Sequence, residues 1–211
     1  APAVDRPIVF YAGDPRVLWA AKELRTEAEA DGWTLIGCTN KAELAAAAAK
    51  SGTYYFQVPQ KGCVDPGTAA VIRERVRGGG TLIVRSWWGV PLDEYLSDSA
   101  LKMHVEVIKD MPLSDRHATF VREGDWCRGP WNIERAIRRG LAPCYLLVGD
   151  EPKDAWVTFA SMPSRAEGHP DRPFLSAMKY GKGVIILVGE TLRISHFRLI
   201  DNIRRAFGLD K

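Results

Sequence analysis

The chain has 211 residues, of which 46% are hydrophobic, so it is long enough and apolar enough to bury a full core. Its 29 lysines and arginines exceed its 26 aspartates and glutamates by three charges, an excess too small to indicate a nucleic-acid partner. No apolar run approaches the roughly 20 residues of a membrane-spanning helix. These properties favour a single domain over residues 1–211 that neither binds nucleic acid nor spans a membrane.

The first half of the chain alternates between short apolar runs and amphipathic stretches. The composition of four runs predicts buried strands at residues 7–12, 33–37, 53–58 and 81–85. Asp14-Pro15, Asn40 and Asp65-Pro66 are typical of helix starts, and each is followed by apolar residues at helical spacing. This strand–helix alternation predicts a parallel sheet with helices on both faces.

The second half is less regular and is expected to elaborate the sheet. The predicted strands of this half include residues 104–108, 145–148 and 155–160. Asn132 is predicted to cap a short helix that has Ile133, Ala136 and Ile137 on its inner face and ends at Gly140.

The end of the chain carries a hairpin pattern followed by a helix pattern. Residues 174–179 and 184–188 flank the turn Tyr180-Gly181-Lys182-Gly183, and this arrangement predicts a β-hairpin. The last helix is predicted to end at Gly208, with an inner face formed by Phe197, Ile200, Ile203 and Phe207.

Three segments carry a resemblance to a known family: residues 69–85 (AAVIRERVRGGGTLIVR), residues 179–187 (KYGKGVIIL) and residues 189–208. Together they resemble the class I glutamine-amidotransferase-like fold, and within it the trehalose-utilisation (ThuA-like) proteins and related domains attached to glycosidases. The first segment resembles the family's helix, glycine turn and strand before the nucleophile elbow, the second its late hairpin, and the third its final loop and packing helix.

The resemblance implies a three-layer α/β/α fold with a doubly wound, mostly parallel sheet of the flavodoxin-like type. It also implies that the four early strands are parallel neighbours in the spatial order 33–37, 7–12, 53–58 and 81–85. Because the shared segments are architectural, the resemblance supports the fold more strongly than any chemistry.

The sequence departs from the family at the turn after the fourth strand. Amidotransferases of this fold carry a catalytic cysteine there, whereas this chain reads Arg85-Ser86-Trp87-Trp88-Gly89. We therefore expect no glutaminase activity. Ser86 is a poor replacement nucleophile because the G-x-S-x-G pattern of a serine elbow is absent, and a polar residue at a strand end is its simpler role.

Ligands of open α/β sheets bind beyond the carboxyl ends of the strands. The residues expected to gather at that edge are Asp14, Gln60, Trp87, Trp88, Glu190 and Arg193. Adjacent tryptophans in a loop favour a binding surface for a sugar or a peptide, and anchoring of the loop in the core is the alternative role. We expect one of the two tryptophans to pack inward and the other to face the edge.

These features predict a non-catalytic binding or interaction domain, a pseudoenzyme in a carbohydrate-related or envelope context, whose partner is a small molecule, a sugar or a protein. The alternative is a hydrolase or sugar-modifying enzyme with Glu190, His196 and Asp14 as acid–base groups and Ser86 as a weaker candidate. In the non-catalytic interpretation His196 is an exposed residue in the first turn of the last helix. A third possibility is a structural domain whose cleft is filled by its own loops.

The four cysteines contain no C-x-x-C pair and the four histidines have no ligand spacing, so we expect neither a metal site nor a cofactor. The start Ala1-Pro2-Ala3 resembles the residues left after signal cleavage, which predicts an exported or periplasmic protein, with a cytoplasmic one as the alternative. In an exported protein we expect Cys127 and Cys144 to form a disulfide; four buried thiols are the alternative.

Overall fold

The computed structural model describes residues 6–12, 20–57, 64–85, 103–107, 117–118, 121–122, 125–133, 140–141, 145–149, 156–162, 172–188 and 196–210. The helices in this part of the chain are α1 (Ala20–Ala30), α2 (Lys41–Ala48), α3 (Pro66–Arg77) and α4 (His196–Ala206). The strands of its main sheet are β1 (Pro7–Ala12), β2 (Thr34–Cys38), β3 (Thr53–Gln57), β4 (Thr81–Arg85), β7 (Val121–Arg122), β10 (Trp156–Met162), β11 (Arg172–Tyr180) and β12 (Gly183–Val188). Two further strand pairs are formed by β5 (Met103–Val107) with β9 (Tyr145–Gly149) and by β6 (His117–Ala118) with β8 (Gly140–Leu141).

The main sheet has eight strands in the order β2-β1-β3-β4-β12-β11-β10-β7. The first five of these strands are parallel, and the last three join by antiparallel pairing. The predicted fold class is confirmed, as are the order and the parallel direction of the four early strands. The predicted hairpin is also confirmed, because β11 and β12 pair from Tyr180↔Gly183 to Leu175↔Val188.

Local hydrogen bonds explain where two of the helices begin. The side chain of Asn40 accepts a hydrogen bond from the Glu43 amide at 2.9 Å, and the Glu43 carboxylate accepts one from the Thr39 amide at 2.7 Å. At the start of α3, the Asp65 side chain accepts from the Thr68 amide at 2.9 Å. Both predicted caps are therefore confirmed, and they satisfy amides that the first turn leaves without helical partners.

The sheet carries a separate apolar core on each face. Helices α1 and α4 cover one core, which includes Phe10, Tyr55 and Phe197. Helices α2 and α3 cover the other, which includes Tyr11 and Tyr54. Adjacent strand residues point to opposite faces, so Tyr54 and Tyr55 lie in different cores although they are neighbours in sequence.

The last helix packs as its sequence pattern predicts. Phe197, Ile200 and Ile203 are fully buried, and Phe207 packs against the same core while partly exposed. The helix ends before Gly208, whose φ of 67° is the left-handed conformation that favours glycine at this position.

Glycines allow β12 to lie close to the end of α3. A Cβ atom on Gly183 would collide with the carbonyl oxygens of Val76 and Gly80, and one on Gly80 would collide with the carbonyl oxygen of Gly52. The approach is fixed by hydrogen bonds from the Lys182 amide to Arg77 O at 2.8 Å and from the Val184 amide to Gly80 O at 3.1 Å. The hairpin turn is thus docked on α3 by backbone contacts that exclude a side chain.

Some predictions need correction and others fall outside the described residues. Gly140 is the first residue of β8, so its predicted role as a helix stop is wrong. The short helix predicted after Asn132 and the helix start at Asp14-Pro15 lie outside the described residues. Among the helices that the structure describes, none is long and apolar enough to cross a membrane.

Two of the four cysteines lie in the described part of the chain. Cys38 and Cys127 are both buried. Burial, and secondarily the charge of Glu43, raise the pKa of Cys38 to about 11, so this thiol is a poor nucleophile at neutral pH. Cys144 lies outside the described residues, so its pairing with Cys127 stays a prediction.

Candidate functional site

The carboxyl ends of four parallel strands form one edge of the sheet. Ala12 of β1 pairs with Gln57 of β3, Gln57 pairs with Arg85 of β4, and Arg85 pairs with Val188 of β12. The four strands therefore end in register, at the edge where α/β folds bind their ligands.

Polar side chains lie directly behind this edge, on the α4 face of the sheet. We define the strand-end cluster as Tyr55, Gln57, Arg85 and His196. Tyr55 and Gln57 are two residues apart on β3 and so share a face, while His196 is the first residue of α4. The strands supply three members and the helix start supplies the fourth.

The strand-end cluster is held by short polar contacts. The Tyr55 hydroxyl lies 2.8 Å from Nδ1 of His196 and 3.3 Å from Oε1 of Gln57. Nη1 of Arg85 donates to the same Gln57 oxygen at 3.5 Å. The Tyr55 and His196 rings, with centroids 5.6 Å apart, also contact each other.

The strand-end cluster is buried, and part of its hydrogen-bonding capacity is unused. Tyr55 is completely buried, and Gln57 and His196 are each 3% exposed. Nε2 of His196 and Nε of Arg85 are buried and have no hydrogen-bond partner among the residues that the structure describes. A buried polar group left unpaired costs about 1–3 kcal/mol, so packing alone does not explain these residues at these positions.

Burial also fixes the protonation states of the two ring side chains. Burial, assisted by the positive charge of Arg85, holds the pKa of His196 well below its usual 6.5. Burial raises the pKa of Tyr55 to about 12. Both groups are therefore neutral at pH 7, and Arg85 supplies the formal charge of the strand-end cluster.

His196 is the one predicted site residue that the structure describes. The interpretation of His196 as an exposed first-turn residue is wrong, since the ring is buried against Tyr55 and bonded to its hydroxyl. The other predicted site residues lie outside the described residues; they are Asp14, Gln60, Ser86, Trp87, Trp88, Glu190 and Arg193.

Sequence reasoning missed Tyr55, Gln57 and Arg85 as site residues. Each lies within a segment whose composition predicts a strand, and the aromatic ring of Tyr55 is ordinary for a buried strand. The available signal was polarity at the strand ends, because Gln57 and Arg85 interrupt apolar runs just where the strands reach the edge.

A groove of about 680 Å³ lies elsewhere, at the opposite end of α4 from His196. Its floor includes Trp126 and Phe159, whose rings meet edge to face with centroids 5.6 Å apart. Charged residues at its rim include Asp125, Arg128 and Arg205. Since His196 and Arg205 are nine residues apart on the helix, about 14 Å separates this groove from the strand-end cluster.

No family model and no curated protein matches the chain. Solved structures do match it. A β-galactosidase from Bacillus circulans sp. alkalophilus is 16% identical with a TM-score of 0.57, over 97% of this chain and 31% of that chain. A putative ThuA-like protein from Bacteroides uniformis ATCC 8492 is 10% identical with a TM-score of 0.57, over 97% of this chain and 92% of that chain.

A cytoplasmic protein from Salmonella typhimurium LT2 is also similar, at 10% identity and a TM-score of 0.53 over 95% of this chain and 98% of that chain. The chain thus spans 31% of the length of the Bacillus circulans galactosidase but 92% or more of the ThuA-like and Salmonella proteins. What these proteins share with the chain is the fold. Identities of 10–16% carry no residue of their sites over to this sequence.

Proposed function

We propose that this chain is a non-catalytic binding domain of the amidotransferase-like fold that takes a sugar-like small molecule at the carboxyl-end edge of its parallel strands. The observation that carries the proposal is the strand-end cluster. Apolar residues at the same positions would fill the core without the cost of burying four polar groups. A ligand at this edge gives those groups a function.

The solved structures support a carbohydrate as the class of ligand. Two of the similar structures are β-galactosidases, and a third is a ThuA-like protein of the family that the sequence resembles. Trp87 and Trp88 follow β4 in the sequence, and tryptophan side chains are suited to stack on sugar rings because they present a large flat area with little conformational entropy to lose.

The chemistry of the strand-end cluster favours binding over catalysis. General acid–base catalysis needs two ionisable groups that exchange protons near the working pH. Tyr55, with its pKa raised to about 12, does not exchange its proton there. The residues that follow β4 also lack the cysteine that amidotransferases of the resembled fold carry, as residues 85–89 read RSWWG.

One observation favours an enzyme as the second candidate. His196 is held neutral beside a tyrosine, and a neutral imidazole is able to accept a proton. A hydrolase or sugar-modifying enzyme built on His196 needs a carboxylate partner, and Glu190 or Asp14 would be that partner. Turnover of nitrophenyl glycosides that is lost in both Glu190→Gln and His196→Gln would establish this candidate instead.

Titration of the protein with a panel of neutral and acidic monosaccharides, followed by NMR or calorimetry, tests the binding function. Tyr55→Phe removes the hydroxyl bonded to His196 and should weaken binding about five-fold, the effect of a hydrogen bond worth about 1 kcal/mol. One of Trp87 and Trp88 is expected to face the edge, and replacing that residue by alanine should weaken binding further.

Tyr54→Phe is the matched control for Tyr55→Phe. Tyr54 precedes Tyr55 on β3 but lies in the core on the other face, where its hydroxyl donates to Ala48 O at 2.6 Å and contacts Ser51 O at 2.8 Å. This control should lose stability like Tyr55→Phe and retain full binding. Absence of binding by every sugar in the panel, or equal loss of affinity in both variants, would refute the proposed function.

A further inference from the structure

The proton of the Tyr55 hydroxyl determines what His196 offers to a ligand. That single proton has two possible acceptors, Nδ1 of His196 at 2.8 Å and Oε1 of Gln57 at 3.3 Å. The Gln57 oxygen already accepts from Nη1 of Arg85. Because the contact to Nδ1 is the shorter of the two, the proton is assigned to it, with Tyr55 as the donor; in the converse arrangement Nδ1–H would donate to the Tyr55 oxygen, Tyr55 would donate to Gln57, and Nε2 would carry no proton.

The tautomer of His196 follows from this assignment. A neutral imidazole has one N–H group, and a ring whose Nδ1 accepts carries its proton on Nε2. Nε2 is thus a buried N–H donor, and it has no acceptor among the residues that the structure describes.

Arg85 provides a second unused donor and a positive charge. Its Nε–H is buried without a hydrogen-bond partner in the described part of the chain. The ion pairs found among the described residues involve Arg6, Arg128, Arg198 and Arg204 but not Arg85. A partly buried guanidinium without a carboxylate is costly, so an anion at this position would be stabilised by both charge and hydrogen bonding.

Within the part of the chain that the structure describes, the strand-end cluster therefore presents hydrogen-bond donors and a single positive charge with no matching acceptor. A carboxylate complements it in both respects, since it carries one negative charge and only accepts hydrogen bonds. Arg85 is only partly buried and ends β4 at the carboxyl-end edge, so the unused donors lie next to the proposed ligand position.

We propose that the strand-end cluster binds a carboxylate group through Arg85 and His196, and that the ligand of this domain is a sugar acid. This inference rests on the proposed function, because it names the ligand class for the same site. Arg85 holds the charge of the carboxylate, Nε2 of His196 donates to one of its oxygens, and Tyr55 fixes the tautomer that makes this donation possible.

Galacturonate and galactose form a matched pair of probes, because they differ by a carboxylate in place of a hydroxymethyl group. Calorimetric titration should show galacturonate binding about ten-fold or more tightly than galactose. Arg85→Gln should reduce that preference to less than about two-fold. Arg75→Gln, which changes an exposed arginine on α3, is the control and should retain the preference.

A measurement on the unmodified protein covers the case in which Arg85→Gln does not fold. In ¹⁵N-labelled protein, galacturonate should shift the Nε2 resonance of His196 while leaving Nε2 as the protonated nitrogen, and galactose should leave the resonance in place. An Nε2 without a proton, or equal shifts with both sugars, would overturn the inference.

The titrations separate failure of this inference from failure of the proposed function. Equal affinities for galactose and galacturonate would refute recognition of a carboxylate but would leave the proposed binding function intact. Binding of neither sugar overturns both. If galacturonate bound only to Glu190→Gln or Asp14→Asn, the carboxylate paired with the strand-end cluster would be one of the protein's own side chains. That result would also overturn the inference.

Discussion

His196 is buried against Tyr55 of β3, a residue far from it in the sequence. As the first residue of α4 it stands at a position that water usually reaches, yet only 3% of it is exposed and its Nδ1 lies 2.8 Å from the Tyr55 hydroxyl. A helical pattern places a residue on a helix but does not say how closely the sheet approaches the helix start. The burial of His196 was therefore beyond prediction from its own segment.

The stability of the protein should depend on the protonation of His196. The pKa of His196 in the folded protein lies well below 6.5, whereas in the unfolded chain it is about 6.5. Unfolded chains consequently bind a proton before folded ones as the pH falls. The contribution of the neutral ring is complete above about pH 6.5 and decreases below it by up to about 1.4 kcal/mol per pH unit, until the folded pKa is reached.

Urea unfolding of the protein and of His196→Gln at pH 7.5, 6.5 and 5.5 measures this contribution. The difference between their free energies of unfolding should shrink as the pH falls. Among the described residues, the titratable or charged groups that face His196 from the sheet are Tyr55 on β3 and Arg85 on β4. Tyr55, with its pKa raised to about 12, and the fixed charge of Arg85 do not change between pH 5.5 and 7.5, so neither produces the same pH dependence. A difference that is the same at all three pH values would contradict the prediction.

At the scale of single elements, the early strands and helices followed from local patterns, while close approaches between elements did not. The run Gly78-Gly79-Gly80 was a sufficient signal for the end of α3. The sequence pattern does not reveal that Gly80 also lies against the Gly52 carbonyl, because that contact depends on the pairing of β3 with β4. Similarly, the hairpin turn was predictable and its docking on α3 was not.

Gly183→Ala should be strongly destabilising for this reason. Its new methyl group would collide with the Val76 and Gly80 carbonyl oxygens, and a backbone does not yield as a flexible side chain does. We expect a loss of about 3 kcal/mol or more in the free energy of unfolding. Chemical denaturation monitored by far-UV circular dichroism would measure it.

Gly37→Ala is the matched control for Gly183→Ala. Gly37 also lies in a strand, but its added Cβ would come no closer than 3.8 Å to the Arg25 side chain, which is ordinary contact. The control should change stability by less than about 1 kcal/mol. Similar stabilities for the two variants would show that the approach of β12 to α3 is not as close as the structure has it.

For the molecule as a whole, topology was the most informative prediction. Ligands of parallel sheets bind beyond the carboxyl ends of the strands, and this rule predicts a site at the edge where Gln57 and Arg85 lie. The members of the strand-end cluster come from β3, β4 and α4, however, and their contacts join residues up to 141 positions apart. Local sequence patterns carry no information about such separations, so the edge was predictable and the cluster was not.

Residues 1–211 should unfold in one cooperative step, as expected of a single domain. The two cores lie on opposite faces of one sheet, so neither persists when the strands separate. Trp33 belongs to one core and Trp156 packs against the other, which makes tryptophan fluorescence sensitive to both. Fluorescence and far-UV circular dichroism should give coincident urea transitions; two separated transitions would indicate independent units.

The position of β12 between β4 and β11 has a consequence for how the chain folds during synthesis. Strands β1 to β4 emerge from the ribosome first and are able to pair with one another, but the outer side of β4 awaits β12, which follows roughly 100 residues later. At usual rates of translation that interval lasts about 5–20 s. Throughout it, β4 presents an apolar strand with an unpaired edge, the kind of surface that recruits chaperones or nucleates aggregation.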